Sequence, residues 1–386
     1  VRKHDRLVSL QKGISLNKTG GEMSNKDMQV VVFPKDPNPY QDLLYGHFPK
    51  ETVITYFTPI KRNIFELFMV LPFTVIRLAR LRLKGNKIIH IHWIYPFYLP
   101  KKLPFNKLLS YLNVAIFLKC VHLMRFKVVW TVHNVVPQSQ MTINDASLMR
   151  KLAKLANVKI VHSNSVIDEM KSLNISTENA TVIPIGSYGG IYPDTINREE
   201  ARKKLHIGNT EFVVLFFGII NPYKGTEELI KAFSRLKLPN SRLVIAGQCS
   251  SPNLKKELLK AVTKHRNINV YEGFIDDKDI ETYFKACDIV CLPFRKITTS
   301  SSVMLAMAFA KPIVVPQLGA LRDLPQDAGY FYNTTDNKAL ENTLLQAATH
   351  KSELHHLGEA AKAYSDSLSW DKIAAQTNAV YADLVN

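Results

Sequence analysis

The sequence predicts an α/β protein built from two doubly wound, Rossmann-like lobes that face each other across a cleft. Three observations predict it. The chain has 386 residues, enough for two separate hydrophobic cores. Two successive series of short β-rich runs alternate with helical stretches, the pattern of parallel sheets whose crossovers are helices. Between the two series lies a turn-rich break, Gly186-Ser187-Tyr188-Gly189-Gly190-Ile191-Tyr192-Pro193, where a domain boundary belongs.

Residues 1–27 are polar, with Gly20-Gly21 before Met23, and read as a flexible lead-in. The first lobe follows over residues 28–190. Its strands are expected at 28–34, 52–57, 87–93, 127–132, 158–162 and 181–184. The second lobe, 191–368, opens with a helix over 197–205, and its strands are expected at 211–217, 242–246, 269–271, 289–292 and 313–315. In the last segment, 369–386, Trp370, Ile373, Ala374, Val380 and Leu384 recur at helical spacing, so this helix has an apolar face with which to cross back to the first lobe.

The formal charge of +17 suggests nucleic acid, but its distribution points elsewhere. Residues 51–150 hold 14 Lys and Arg against 3 acids, a net +11. Within them, the stretches 61–84 and 105–125 mix basic residues with Phe, Leu and Ile, and no nucleic-acid reading motif accompanies them. Basic, apolar helices of this kind suit an anionic lipid surface. A core helix with a solvated basic rim remains the other reading. No run is long enough to span a bilayer and no secretory signal is read, which suits a cytoplasmic protein. The four cysteines fall singly in apolar runs, and Cys287 and Cys291 lack the second pair a zinc site needs; they read as buried thiols of a reducing cytosol.

Ligands of doubly wound sheets gather at the carboxyl ends of the strands, so the loops there carry the chemistry. In Phe217-Gly218-Ile219-Ile220-Asn221-Pro222-Tyr223-Lys224-Gly225, a buried strand ends in glycine and a Lys-Gly turn opens a helix. Backbone N–H groups, the positive helix end and the lysine charge together favour a phosphate. Gly273-Phe274-Ile275 forms a second loop. Pro293 to Ser302 forms a third, in which Thr299, Ser300 and Ser301 cap the following helix while Arg295 is expected to join Lys224 on a diphosphate.

The first-lobe loops carry His90-Ile91-His92-Trp93 and Thr131-Val132-His133-Asn134. A neutral histidine takes a proton from a sugar hydroxyl, and Trp or Tyr stacks on a pyranose face. Strand alternation points His90 and His92 to one side, so a packed core role stays open beside the catalytic one. Asp277-Lys278-Asp279 matches a metal-nucleotide pattern but precedes a helix, and reads as capping. No G-x-G-x-x-G follows the first strand, which weakens a dehydrogenase reading.

Taken with Asn38-Pro39-Tyr40-Gln41, Leu43-Leu44-Tyr45, Leu292-Pro293-Phe294-Arg295 and the run from Leu305 to Pro316, these motifs resemble the GT-B glycosyltransferases over most of residues 28–384. They resemble more closely the bacterial exopolysaccharide (xanthan-type) β-mannosyltransferase family. The resemblance implies a nucleotide-diphosphate sugar in the second lobe, a GDP-sugar carrying mannose as the first candidate. It implies a polyprenyl-diphosphate-linked saccharide acceptor in the first lobe, with no metal and no further cofactor, on the inner face of the plasma membrane. By carry-over, Lys224, Arg295 and the N–H groups near Ser300 and Ser301 hold the diphosphate, framed by Gly218, Asn221, Tyr223, Gly225 and Thr299. Phe274 and Ile275 border the base, and Asn38, Tyr40, Trp93, Asn134 and Tyr188 face the acceptor. The two glutamates that large retaining families place eight residues apart are Ile297 and Leu305 here, which implies an inverting displacement. That reaction needs a general base, His92 or His133 with Asp145 behind them. Asn221, Ser300-Ser301 and Ile185-Gly186-Ser187-Tyr188 stand where that family tends to show Arg, Ser-Gly and His-Gly-His-Tyr. These departures keep a second class open, a non-catalytic GT-B-like protein that binds a nucleotide sugar or glycan.

Overall fold

Near-continuous apolar runs such as Phe212–Phe217, in which all six residues are buried, suit central strands of a parallel sheet covered by helices on both faces. The computed structural model describes residues 28–36, 38–57 and 64–385 and contains two such sheets. The lead-in expected at 1–27 lies outside the described residues.

The first lobe comprises β1 (Met28–Phe33), α1 (Tyr40–Gly46), β2 (Thr52–Tyr56), α2 (Ile64–Leu83), β3 (Ile88–Ile91), α3 (Asn106–Leu123), β4 (Lys127–Thr131), α4 (Asp145–Leu155), β5 (Val158–Val161), α5 (Asn164–Ser172) and β6 (Ala180–Val182). Its sheet has the order β2-β1-β3-β4-β5-β6, and its strand pairs are parallel. The second lobe comprises α6 (Arg198–Lys204), β7 (Phe212–Phe217), α7 (Thr226–Leu236), β8 (Ser241–Gly247), α8 (Pro252–Val262), β9 (Ile268–Glu272), α9 (Ile280–Ala286), β10 (Ile289–Cys291), α10 (Ser301–Ala308), β11 (Ile313–Pro316), β12 (Gly329–Tyr332), α11 (Ala339–Thr349) and α12 (Leu354–Ser367). Its order is β12-β11-β10-β7-β8-β9, again with parallel pairs.

Each order reverses direction once, at β1/β3 in the first lobe and at β7/β10 in the second. Such a reversal splays the flanking loops apart and opens a crevice. The expected strands are present, trimmed or extended by one or two residues at their ends. β12 is additional: it closes the far edge, where a side chain on Gly329 would meet the Ile313 carbonyl at 2.1 Å.

The last helix, α13 (Trp370–Val385), buries Trp370, Ile373, Ala374, Thr377 and Tyr381 along one stripe against the first-lobe core. Its start is pinned at the boundary between the lobes. The Trp370 indole N–H donates to the Ser187 carbonyl at 2.7 Å, and its ring fills the space beside Gly186, where a Cβ would lie 2.4 Å away. Cys287 and Cys291 are buried as expected, whereas Cys120 and Cys249 are only half-buried, lying in helix α3 and in the loop after β8.

Candidate functional site

The loops after β7 and β10 close on each other at the second lobe's switch point. The Arg295 N–H donates to the Tyr223 carbonyl at 2.8 Å. Gly225, at φ +72°, lies so close to Pro293 that a Cβ would sit 1.9 Å from its carbonyl oxygen. Gly218, at φ +119°, makes room in the same way: a Cβ there would lie 2.9 Å from Ser302 Oγ and 3.2 Å from Lys224 Nζ. The lysine amine and the first turn of α10 therefore meet over one glycine. The Ser300 side chain caps α10 by accepting from the Val303 N–H at 3.3 Å. The N–H groups that open the helix have no intrahelical partners.

Lys224 is half-buried and forms no ion pair among the described residues; its amine stands 6.0 Å from the Phe294 ring centroid. Burial lowers its pKa to about 8. A desolvated cation with no counter-ion among the described residues, beside a helix N-terminus, has the chemistry to attract an anion.

Arg295 does not converge on Lys224 as expected. Its guanidinium pairs with Glu228 and, at 3.8 Å, with Glu227, the acids of the first turn of α7. Those carboxylates lie beside the loop and outcompete solvent for the arginine. Asn221 contributes its carbonyl, which accepts the Lys224 N–H at 2.9 Å and starts the turn that carries Tyr223. On the same edge Phe274 is 65% exposed, and Ile275 packs on the second-lobe core.

In the first lobe four histidines form one hydrogen-bonded row. His162 Nδ1 donates to the Ile183 carbonyl at 2.9 Å, because a carbonyl only accepts. Its Nε2 therefore accepts from His133 Nδ1 at 3.5 Å, and His133 Nε2 accepts from His92 Nδ1 at 3.0 Å. His92 Nε2 then accepts from the Tyr45 hydroxyl at 2.8 Å. His90 Nδ1 is hydrogen-bonded to the hydroxyls of Tyr45 and Tyr381, and its Nε2 to the Thr131 hydroxyl at 2.7 Å. One carbonyl thus sets the tautomers of His162, His133 and His92.

Burial, followed by repulsion from neighbouring histidines, lowers the pKa of His90 to about 3 and holds His92 and His133 well below the ordinary value. For His162, burial outweighs the bond to Ile183 and lowers its pKa to about 4. All four rings are neutral and every ring nitrogen is engaged. The expectation that His92 or His133 takes a substrate proton meets no free nitrogen.

Asp145 is not behind them. Its carboxylate accepts from the N–H groups of Met141 and Thr142, both at 2.9 Å, and from the Thr142 hydroxyl, tying down the loop before α4. The capping expected of Asp277-Lys278-Asp279 is also not formed by side chains: Asp279 precedes α9 with no side-chain cap bond. Among the described residues no group of three His, Cys, Asp or Glu is arranged to hold a metal.

The residues expected at the acceptor side lie around the histidine row. Trp93 stacks on His133 at 4.2 Å and 12°, and the Tyr40 edge meets the rings of His92, His133 and His162. Asn38 accepts from the Tyr40 N–H at 2.9 Å, and Asn134 accepts from the Gln138 amide at 2.9 Å. Tyr188 is buried at the lobe boundary, hydrogen-bonded to Ser301 of the opposite loop.

Sequence reasoning singled out Thr299 and His133 but not their contact, nor Thr298, Glu169, Ser165 and Asp323, which also join the lobes. Thr299 donates to the His133 carbonyl at 3.3 Å, and Thr298 to Glu169 at the same distance. Asp323 accepts from the Ser165 N–H at 2.9 Å, at the start of α5. Beside these contacts a small cavity of about 50 Å³ is lined by His162, Thr299, Ser300 and Asp323 among others.

Two doubly wound lobes with switch-point loops meeting at one seam define a GT-B fold. Residues 197–364, most of the second lobe, match the family model described as Glycosyl transferases group 1. The chain is 25% identical over 232 residues to the GDP-mannose:glycolipid 4-beta-D-mannosyltransferase of Xanthomonas campestris pv. campestris, spanning 59% of this chain and 61% of that protein. It is 24% identical over 248 residues to a D-inositol 3-phosphate glycosyltransferase of Corynebacterium glutamicum (strain R), spanning 61% of this chain and 59% of that one. The matched part thus amounts to about three fifths of these relatives. Among solved structures, Anabaena Alr3699/HepE in complex with UDP and glucose superposes with a TM-score of 0.72 at 16% identity, covering 92% of this chain and 100% of that one. Sucrose-phosphate synthase from Thermosynechococcus elongatus superposes with a TM-score of 0.70 at 19% identity, covering 93% and 89%. At these identities the superpositions establish the fold.

Proposed function

We propose that the protein transfers a sugar from a nucleotide-diphosphate sugar to a polyprenyl-diphosphate-linked saccharide during exopolysaccharide assembly, with inversion and with no metal. The observation that carries this reading is the unpaired, desolvated Lys224 beside the α10 N-terminus. As the glycosidic bond breaks, charge grows on the departing diphosphate, and a fixed cation with fixed N–H donors stabilises it there more than in the ground state. The Xanthomonas relative, named for GDP-mannose and a glycolipid, supports mannose as the first donor to try. The buried Ile297 and Leu305 support inversion, because neither offers a carboxylate to the donor sugar.

The acceptor's lipid calls for a membrane surface. Among the described residues no helix is long and apolar enough to cross a bilayer. Helices α2 and α3 instead pack side by side and expose Phe73, Ile76 and Leu83 with Leu108, Leu112 and Ile116. A basic, apolar face of this kind supports peripheral binding to the anionic inner face of the plasma membrane.

The non-catalytic alternative draws on Arg295, held by glutamates, and on histidines with no free nitrogen. Incubation with a panel of GDP- and UDP-sugars and a short-chain lipid-diphosphate saccharide separates the two. The proposed function predicts transfer from at least one donor that persists in chelator. Donor binding with no transfer favours the non-catalytic protein, and no binding by any donor refutes both.

A further inference from the structure

An inverting transfer must place the acceptor's proton somewhere, and the four histidines of the first lobe have no nitrogen left to take it. We propose that Asp36 is the general base, an inference that rests on the transferase reading above.

Asp36 lies on the loop between β1 and α1, beside the β1/β3 switch point where the first lobe's crevice opens. Among the described first-lobe carboxylates, several are already committed or misplaced, including Glu169, which accepts from Thr298 at the seam. Asp42 pairs with Lys35, Asp145 ties down its own loop, and Glu51 and Glu178 precede β2 and β6 at the amino ends of their strands.

The Asp36 carboxylate is partly exposed and accepts two hydrogen bonds, one per oxygen. Oδ1 accepts from the Asn38 N–H at 2.9 Å, and Oδ2 from the Tyr95 hydroxyl at 3.1 Å. Each oxygen keeps a second lone pair for a substrate hydroxyl. The loop is held from below, where the Asp36 N–H donates to Gln41 Oε1 at 2.9 Å and the buried Gln41 amide donates to the Pro34 carbonyl at 2.9 Å. The base is therefore positioned before substrate arrives.

A continuous shelf joins it to the diphosphate grip. Tyr95 adjoins Trp93, with ring centroids 6.5 Å apart; Trp93 stacks on His133; and the His133 carbonyl accepts from Thr299, next to the Ser300 cap. A saccharide lying on Trp93 and Tyr95 has Asp36 at one end and the donor's anomeric carbon toward the other. Asp36 takes the proton from the acceptor hydroxyl as that oxygen bonds to the anomeric carbon. The bond from that carbon to the diphosphate oxygen breaks, and the nucleoside diphosphate leaves with the electron pair. The protonated Asp36 then releases its proton to water. In this arrangement the histidine row and Tyr45 are positioning groups that hold Trp93 in place through His133.

The test is Asp36→Asn, which preserves an acceptor for the Asn38 N–H, measured with the best donor of the panel by donor affinity and by single-turnover transfer. Asp36→Asn should bind donor within threefold of wild type and lose about 10²- to 10⁴-fold in turnover. Asp36→Glu should restore part of the rate. Glu178→Gln, a carboxylate at the amino end of β6, should remain within tenfold of wild type. Asp36→Asn that binds donor and turns over within tenfold of wild type overturns the inference alone. Wild-type protein that binds donor and never transfers overturns it together with the transferase reading.

Discussion

Four histidines from the ends of three neighbouring strands hand hydrogen bonds to one another from Tyr381 to the Ile183 carbonyl, and the cost of charging any of them is borne by the fold. Their folded pKa values lie below 6.5, so below that pH the unfolded chain binds more protons than the native one. The stability they contribute is full above pH 6.5 and is lost progressively as pH falls toward about 4, the value for His162. Histidine ring resonances followed by NMR should show these four staying neutral to pH 5, with the thermal midpoint falling over the same range. Four titrations near 6.5 would contradict the account. The sequence revealed that His90 and His92 share one side of a strand. It did not reveal the row, because Tyr45, His162 and Tyr381 reach it from distant segments. Asp145 misled for a related reason: an acid in the first turn of a helix serves its own loop as readily as a neighbour's imidazole.

At the scale of elements, the strands were legible because buried parallel strands are short, β-branched and bounded by turn residues. β12 escaped because Gly-Tyr-Phe-Tyr is brief and opens on glycine, and only its fit beside β11 makes it a strand. Arg295 was legible as a cation on the right loop, but its pairing with Glu228 depends on how α7 abuts that loop. The seam was invisible for the same reason. Helix α5 has Ser163 at its N-cap with no side-chain cap bond, and Asp323 of the other lobe takes the Ser165 N–H instead. Burial raises the Asp323 pKa, but its bonds to Ser165 and Asn164 prevail and lower it, so the cap is charged at neutral pH. Asp323→Ala should cost on the order of 1 kcal/mol, the typical worth of an N-cap, and should loosen the seam. Differential scanning calorimetry with small-angle scattering checks this; an unchanged midpoint and radius of gyration would remove Asp323 as a link between the lobes.

Over the whole molecule, the +17 charge is unevenly spread, with a net +11 in residues 51–150. Arg80, Lys84, Lys119 and Arg125 stand exposed around Phe73, Leu83 and Leu123, which are 62%, 88% and 67% exposed. Anionic liposomes should therefore retain the protein, neutral vesicles should not, and Arg77→Glu with Arg80→Glu should release it. Equal sedimentation with neutral and anionic vesicles would argue for a merely solvated rim. Lys224 has the opposite setting, a half-buried cation beside Gly218 and the first turn of α10. The most direct measurement of the central claim is calorimetric titration of wild type and Lys224→Met with GDP and UDP at pH 7 and at pH 9.5. One nucleotide should bind wild type at pH 7, lose at least tenfold in affinity with Lys224→Met, and weaken for wild type at pH 9.5, where the unliganded lysine has lost its proton. Equal affinity for both proteins at both pH values would contradict a diphosphate held by Lys224.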